Sequence, residues 1–292
     1  MPADRAILVA TDFSDRARCA ALRAARLAAE RGSRVELLHV LPTGATSAEI
    51  EDARDRLQAL ADELGQAHGI DAGPRLEQGD IVDRILAAAL GARLLVIGAT
   101  GRHGLRQALL GAVADQLLPR SIRPVLVVRR EASGPYERVL VPVDFSPYAR
   151  NALAVAADWL PSAGLVLMHA VDRPGAGAHP PRPISDDAAN DDPAIERARL
   201  GLGLVADGLR QAGHPGARLA LMEGDAPASI LAQAEAIGAE LIVVGKHQRS
   251  RVEALLADSV TRKLLAQADA DLLVTSAAKP LDDDSGLPPP MP

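Results

Sequence analysis

The sequence contains one pattern twice. AILVATDFSDRARCAALRAARLAAERG at residues 6–32 reappears as RVLVPVDFSPYARNALAVAADWLPSAG at 138–164, and both segments carry Asp-Phe-Ser just after an apolar run. Further along the chain, RLEQGDIVDRILAAALGARLLVIGATG at 75–101 is matched by LALMEGDAPASILAQAEAIGAELIVVGKHQ at 219–248. Self-similarity over segments of this length, in the same order both times, predicts two copies of one domain.

The repeat boundaries predict a first domain at residues 1–133 and a second at 134–279. The remaining tail, 280–292, is rich in proline and aspartate, so we predict that it is disordered. The second copy also contains an insertion at 172–193 with a similar composition. We predict that this insertion is a mobile surface loop.

Each copy alternates short apolar runs with longer segments of helical periodicity. Near-continuous Val, Ile and Leu runs separated by helices are typical of parallel strands that are covered on both faces. The sequence therefore predicts an α/β fold: two tandem five-stranded parallel-sheet domains with helices on both faces, a Rossmann-like arrangement. The first-copy strands are predicted at 6–11, 34–40, 73–77, 93–97 and 124–129.

The composition excludes several kinds of partner. The net charge is −6 and aromatic residues make up only 2% of the chain, so neither a basic surface nor stacking platforms for nucleic acid are expected. A single cysteine, Cys19, excludes an intrachain disulfide. No signal-peptide pattern or membrane-length apolar run is found, which predicts a cytoplasmic protein with no nucleic-acid or membrane partner.

Ligands of open α/β sheets bind beyond the carboxyl ends of the strands, where the strand order reverses. Asp12 follows the first predicted strand, so its carboxylate could accept hydrogen bonds from a ribose or an adenine. Asp12 or Ser14 could instead cap the helix that follows. The residues alone favour capping but leave both roles open.

Glycines follow the fourth predicted strand at Gly98, Gly101 and Gly111. Such glycines can bring backbone amides close to a phosphate, and the helix start after Gly111 would favour negative charge. They can equally serve only turns and helix packing. No G-x-x-x-x-G-K-[ST] motif occurs, and GLGLVA at 201–206 follows a helical pattern rather than a strand, so it is not a dinucleotide fingerprint.

Other catalytic or metal-binding patterns are not found in the sequence. The seven histidines have no metal-ligand spacing, and there is no G-x-S-x-G motif or paired-carboxylate arrangement. His39 and His169 occupy matching positions at strand ends and are interpreted as structural residues. No metal site and no catalytic residue is predicted.

Three motifs occur in the same order along each copy: the Asp at the first strand end, the LLHV segment and the G-x2-G-x9-G spacing, the last two with substitutions in the second copy. In these motifs the sequence resembles the universal stress protein family in its tandem form. The resemblance spans about residues 4–277. It implies a five-stranded parallel α/β fold related to adenine-nucleotide-binding hydrolases. Members that bind nucleotide hold ATP with a G-x2-G-x9-G-[ST] loop, so ATP, with or without magnesium, is the implied cofactor.

The resemblance also implies which residues of the first copy contact the nucleotide. The adenine and ribose would be bordered by the first-strand and second-strand residues Ala10, Asp12 and Val40. The triphosphate would be held by the loop after the fourth strand and its neighbours, namely Ile97, Gly98, Thr100, Gly101, Arg102, Gly111, Ala112 and Val113.

The two copies depart from the family loop differently. The first copy keeps all three glycines but has Ala112 where the family has a hydroxyl, which predicts weakened binding. The second copy keeps Gly245 but has Gln248 and Asp258 in place of the later glycines. A side chain and a carboxylate there predict a second site that does not bind ATP. Lys246 and Arg249 would leave that site some affinity for an unrelated anion.

Three functions are compatible with the sequence. The first is a stress-response regulatory protein that binds adenine nucleotide and catalyses no fast reaction. The others are a slow nucleotide hydrolase and a nucleotide-independent scaffold with vestigial pockets. Family dimers pair the edge strands that end each domain, which implies an intramolecular pseudo-dimer through residues 124–128 and 271–275, or a homodimer.

Overall fold

The structure is a computed structural model that describes residues 6–99, 112–172, 180–185, 192–246 and 260–276. The chain divides into two compact units, residues 1–135 and 136–292, called the first and second domains below. Each domain is an α/β unit built on a sheet with helices on both faces, as the sequence predicts. Among the described residues, no helix is both long and apolar enough to cross a membrane.

The first domain contains five parallel strands in the order β3-β2-β1-β4-β5. Its elements, in chain order, are β1 (Ile7–Ala10), α1 (Asp15–Arg31), β2 (Val35–Leu41), α2 (Ser47–His68), β3 (Ala72–Gln78), α3 (Ile81–Ala89), β4 (Leu94–Gly98), α4 (Ala112–Arg120) and β5 (Val125–Val128). The strands lie within two residues of their predicted bounds. Helix α1 packs against α2, and α3 packs against α4.

Polar caps define the helix boundaries of the first domain. Ser14 caps α1, Asp80 caps α3, and Thr46 forms a reciprocal capping box with Glu49 at the start of α2. Gly32 caps the end of α1, and its φ of +59° is a left-handed conformation that glycine adopts without strain. The repeated cap-helix-strand pattern explains why the element boundaries can be predicted from the sequence.

The second domain repeats this arrangement and adds one short strand. Its elements are β6 (Arg138–Pro142), α5 (Pro147–Trp159), β7 (Gly164–Val171), β8 (Arg182–Pro183), α6 (Pro193–Gln211), β9 (Ala217–Glu223), α7 (Ala226–Ile237), β10 (Leu241–Lys246), α8 (Val260–Gln267) and β11 (Asp271–Ser276). The strand order is β11-β10-β6-β7-β9-β8. All pairs are parallel except β8 with β9.

The additional strand corrects one sequence prediction. Residues 172–193 are predicted to be a surface loop, but β8 pairs with Met222 and Glu223 of β9. Ile184 donates its backbone N–H to the carbonyl of Leu221 and packs against the cluster around Val171. Residues 173–179 and 186–191 of the insertion, and the predicted disordered tail at 280–292, lie outside the described residues.

Candidate functional site

The strand order reverses at one place in each domain. In the first domain the chain runs outward from β1 through β2 to β3, and then returns to the other side of β1 as β4. The crevice beyond the carboxyl ends of β1 and β4 is therefore the expected ligand position. In the second domain the same place lies between β6 and β10.

A tight turn follows β1 and is held by its own side chains. Phe13 donates its backbone N–H to Thr11 Oγ1 at 3.0 Å, and Ser14 donates its N–H to Asp12 Oδ1 at 3.0 Å. Phe13 has a φ of +61°, a conformation that is uncommon for a residue with a side chain. The side-chain hydrogen bonds offset the strain that this conformation brings.

The two roles left open by the sequence fall to different residues. Ser14 is the helix cap, because its Oγ accepts the N–H of Ala17 at 3.2 Å. Asp12 closes the turn with Oδ1 and is exposed at the carboxyl edge of the sheet. Its second oxygen, Oδ2, accepts no hydrogen bond from the residues that the structure describes. Asp12 is thus fixed in place by one oxygen and can offer the other to a ligand.

His39 lies beneath this turn and holds it to the neighbouring strand. Its Nδ1 lies 2.7 Å from the carbonyl oxygen of Thr11, and its ring packs against the ring of Phe13 at 4.6 Å between centroids. His169 repeats both contacts in the second domain, with the carbonyl of Val143 and the ring of Phe145. These contacts confirm the interpretation of the two histidines as structural residues.

Gly98, the last residue of β4, packs so closely against α1 that there is no room for a side chain. A Cβ added there would lie 2.5 Å from the carbonyl oxygen of Arg16, in the first turn of α1. The packing interpretation of this glycine is therefore confirmed, whether or not a phosphate also approaches it. Gly245 has the same role in the second domain, against the backbone of Tyr148 in α5.

The other predicted nucleotide contacts of the first domain are only partly described. Ala10 ends β1 and is half-buried, whereas Val40 in β2 is 8% exposed and Ile97 in β4 is 5% exposed. Such buried side chains could meet a ligand only through their backbone. Val113, in the first turn of α4, is exposed. Thr100, Gly101, Arg102 and Gly111 lie outside the described residues, as does the side chain of Ala112.

One polar contact near the candidate site is not evident from the sequence. The guanidinium of Arg56, in α2, lies 4.1 Å from the centroid of the Phe13 ring. This distance is within the range of a cation–π interaction. Arg56 is one of many charged residues on the exposed side of α2, and no sequence signal distinguishes it from them.

The second domain has the same turn but different neighbours. Ser146 donates its N–H to Asp144 Oδ1 at 3.0 Å and caps α5 through Ala149. Helix α6 comes so close to the turn that a Cβ on Gly201 would lie 2.7 Å from Cε1 of Phe145. The ring that contacts an arginine side chain in the first domain therefore contacts helix backbone in the second.

Lys246, the last residue of β10, is the charged side chain that distinguishes the second crevice among the described residues. It is half-buried, and burial lowers the pKa of its ammonium group from an ordinary value of 10.5 to about 8. The equivalent residue of the first domain, which likewise follows the glycine that packs against the first helix of its domain, is Ala99. Gln248, Arg249 and Asp258 lie outside the described residues.

Metal ligands are not gathered anywhere in the part of the chain that the structure describes. No three His, Cys, Asp or Glu side chains in these ranges are placed to hold one ion. Cys19 of α1 is a free, half-buried thiol.

Comparison with known proteins gives two matches to one family model, described as the universal stress protein family, over residues 5–129 and 135–276. A universal stress protein of Mycolicibacterium smegmatis is 28% identical over 293 residues, which cover 92% of this chain and 96% of that protein. The solved structure of a universal stress protein from Archaeoglobus fulgidus superposes with a TM-score of 0.74 at 20% identity. This match covers 94% of this chain and 99% of the other. A Pseudomonas aeruginosa structure titled as a putative universal stress protein gives a TM-score of 0.62 at 21% identity, with 94% of each chain covered.

Proposed function

The chain belongs to the universal stress protein family in a tandem form, and from this premise we propose that it is a stress-response regulatory protein that binds an adenine nucleotide in its first domain. The observation that carries the proposal is the position and hydrogen bonding of the Asp12 carboxylate. This exposed carboxylate lies at the strand-order reversal of the first sheet, accepts the N–H of Ser14 with Oδ1, and accepts no hydrogen bond with Oδ2 from the described residues. A carboxylate is acceptor-only and suits the hydroxyl pair of a ribose.

The choice of nucleotide rests on the glycine spacing after β4. Gly98, Gly101 and Gly111 match the family loop that holds the triphosphate of ATP in its nucleotide-binding members. Backbone amides in such a loop donate to phosphate oxygens without help from a lysine. Ala112 lacks the hydroxyl of that loop, so the proposed site binds ATP more weakly than a complete loop would.

The proposed output is a change in conformation or partner binding rather than catalysis. Among the described residues, His39 is the histidine that contacts the turn, and it is engaged through Nδ1 with the carbonyl of Thr11 and through its ring with Phe13. It is therefore a poor general base for a water that attacks phosphate. We propose that bound ATP is held without rapid hydrolysis, with magnesium accompanying its phosphates.

The experiment compares matched variants in the full-length chain. Asn at position 12 keeps an oxygen that accepts the N–H of Ser14, so Asp12→Asn preserves the turn but removes the negative charge. We expect ATP affinity, measured by isothermal titration calorimetry, to fall about tenfold or more, the cost of losing a charged hydrogen bond. Asp144→Asn makes the same change in the second domain and should leave ATP binding unchanged.

Four outcomes would count against the proposal or a part of it. Equal losses in the two variants would mean that the site is not confined to the first domain. A stoichiometry of two would mean that the second crevice also binds ATP, and no heat of binding would favour a nucleotide-independent scaffold. Phosphate release over hours, measured in the same samples, would replace the non-catalytic part of the proposal with slow hydrolysis.

A further inference from the structure

The first domain contains a cavity between the C-terminal ends of α3 and α4. It has a volume of about 180 Å³ and is lined by apolar residues at the end of α3, Leu86 and Leu90 among them, and by residues 120–123. Leu90 is 55% exposed and Ile122 is 49% exposed, so two of the aliphatic side chains that line the cavity also face solvent. Exposed aliphatic side chains gathered around one cavity are typical of a binding surface.

This cavity lies at the edge of the sheet opposite Asp12. Leu90 precedes β4 and Arg123 precedes β5, so both segments enter their strands at the amino ends. Asp12 follows the carboxyl end of β1. A ligand in the cavity would therefore be separate from a nucleotide bound at the strand-order reversal.

Arg123 brings a positive charge to the cavity. Its Nη2 donates to the backbone carbonyl of Leu90 at 2.7 Å and so caps the C-terminal end of α3. Its Nε is buried and has no hydrogen-bond partner, and the guanidinium forms no ion pair with the residues that the structure describes. The cap uses one of the five N–H donors of the guanidinium and leaves its charge without a carboxylate.

The other arginine that lines the cavity already has an acidic partner. Nη2 of Arg120 lies 2.6 Å from Oδ1 of Asp83 in α3, and both side chains are more than half exposed. The lining residues and this ion-pair partner together therefore carry one net positive charge, that of Arg123.

The segment that carries Arg123 is fixed by its own hydrogen bonds. Ser121 is buried, and its Oγ donates to the carbonyl of Arg123 at 2.9 Å and accepts the N–H of Arg123 at 3.2 Å. The N–H of Ser121 in turn donates to the carbonyl of Leu117 in α4. The cavity is thus preformed, which lowers the entropy cost of binding a ligand there.

The second domain does not repeat these lining residues. With β4 aligned on β10, Ile122 corresponds to Asp269 and Arg123 corresponds to Ala270. An aliphatic side chain and a cation in the first domain are thus replaced by an anion and a methyl group. The combination of apolar surface and positive charge is a property of the first domain.

We propose that this cavity binds a small aliphatic monocarboxylate, with its hydrocarbon chain against Leu86, Leu90 and Ile122 and its carboxylate on Arg123. A guanidinium donates charge-assisted hydrogen bonds to a carboxylate, which supplies the missing negative charge. Because a water molecule takes up about 30 Å³, the cavity has room for about six atoms of that size. The ligand is therefore a chain about as long as that of hexanoate.

The test titrates the full-length protein with unbranched carboxylates from acetate to octanoate and measures binding by isothermal titration calorimetry. We expect hexanoate to bind with a Kd of about 1 mM or tighter. Each methylene group that enters the cavity should tighten binding by about fourfold, and the gain should stop once the cavity is full. Hexanol has the same chain without the charge and should bind about tenfold more weakly or worse.

Variants locate the site. Ile122→Asp supplies the residue that the second domain carries, and Arg123→Gln removes the charge while keeping a donor for the carbonyl of Leu90. We expect each to weaken hexanoate binding about tenfold or more. Arg210→Gln makes the matched change at an exposed arginine of α6 and should leave hexanoate binding unchanged. Circular dichroism of each variant establishes that the fold is retained.

Equal affinity for acetate and hexanoate would overturn the proposal, because the apolar lining would then contribute nothing. Equal affinity for hexanol and hexanoate would overturn the assigned role of Arg123. Hexanoate binding that is unchanged in both Ile122→Asp and Arg123→Gln, or no saturable binding at about ten times the expected Kd, would also contradict it. ATP binding by these variants should remain unchanged, so this test is independent of the proposed nucleotide site.

Discussion

The two domains share the turn after their first strand and differ in what surrounds it. Asp-Phe-Ser folds the same way in both, with the aspartate closing the turn, the serine capping the helix and a histidine below the aromatic ring. Beyond this turn, Arg56 corresponds to Gly201 and Ala99 corresponds to Lys246. The residues that hold the turn are therefore the same in the two domains, whereas the side chains around it and at the following strand end differ.

The outer edges of the two sheets differ in the same manner. In the first domain, β3 is the last strand on its side, and Arg75 on it pairs with Glu36 and Glu77. Charged side chains along an edge discourage pairing with another chain. In the second domain, β8 from the insertion covers the corresponding strand, β9. The second domain thus protects its edge with backbone pairing, and the first with charge.

The largest effect that tests this comparison should come from the two glycines that pack against helix backbone, Gly98 and Gly245. Gly98→Ala and Gly245→Ala each place a methyl group against helix backbone, which cannot move as a side-chain end can. We expect each to lower the free energy of unfolding of its own domain by about 2–3 kcal/mol. Trp159 is the only tryptophan and is buried in the second domain, so its fluorescence in urea follows that domain, while circular dichroism follows both.

Gly203→Ala is the control for both substitutions. This glycine lies in α6, and a Cβ there would meet no atom within 4 Å. Alanine should therefore stabilise the helix by about 0.5–1 kcal/mol. If Gly98→Ala were neutral while Gly245→Ala was not, the glycine of the first domain would not have the packing role assigned to it.

A second prediction concerns Lys246, where the domains differ most in charge. The pKa of this lysine is lower in the folded state than in the unfolded chain, so the unfolded chain binds more protons between about pH 8 and 10.5. The free energy of unfolding should therefore rise with pH across that window, and the cost of the buried charge is fully present below pH 8. Lys246→Met removes this cost and should stabilise the second domain by about 1–2 kcal/mol at pH 7, allowing for solvent screening.

The check is urea unfolding of the second domain at pH 7 and pH 10, followed by Trp159 fluorescence. Lys263→Met is the control, because it removes the charge of a lysine on α8 rather than at the end of β10. A Lys246→Met variant that is less stable than the parent at pH 7 would show that the ammonium group is held by favourable contacts that outweigh its burial.

A third prediction tests the part of the turn that is the same in both domains. Ser14 and Ser146 each accept a backbone N–H at 3.2 Å from the third residue along the chain. Replacing either by alanine leaves that N–H without its cap, and we expect a loss of about 1 kcal/mol in each domain. Losses that differ by more than a factor of two would mean that the two turns are not energetically equivalent.

Much of the fold could be predicted from the sequence because it depends on local and repeated signals. Apolar runs of strand length, polar caps and the Asp-Phe-Ser turn all lie within a few residues of one another. The exception was β8, since a two-residue strand such as Arg182–Pro183 has no apolar periodicity and forms only because β9 offers an unpaired edge. Burying Ile184 against the Val171 cluster adds a long-range contact that no local pattern indicates.

The candidate site could be predicted less completely, for a physical reason. The sequence indicates Asp12 and Gly98 because the carboxyl ends of parallel strands meet at one edge of the sheet. It leaves Asp12 two possible roles, and the hydrogen bonds of the structure distinguish them: Asp12 accepts the N–H of Ser14 and closes the turn, whereas Ser14 caps the helix. Gly98 could be interpreted through either phosphate binding or packing, and only the distance to Arg16 of α1 identifies the packing role. Contacts between residues on different elements decide such questions, and a single sequence does not contain those distances.

The smallest effect concerns Arg56, whose contact with Phe13 has no counterpart among the described residues of the second domain. Its side chain is about half exposed and also pairs with Asp52 one turn earlier at 3.6 Å, so either contact could account for any loss of stability. Arg56→Gln keeps the helix propensity but removes the charge, and we expect it to lower the free energy of unfolding of the first domain by about 0.5 kcal/mol. A double-mutant cycle with Phe13→Leu isolates the ring contact, since the Asp52 pair is present in both arms. A coupling energy of about 0.5 kcal/mol would assign the effect to the cation–π contact, whereas zero coupling with the loss retained would assign it to Asp52.

In the second domain Gly201→Ala should instead destabilise, because the ring of Phe145 already occupies the space that the methyl group needs. A destabilising Gly201→Ala together with a positive Arg56–Phe13 coupling would mean that the two domains cover one aromatic ring in two physically different ways.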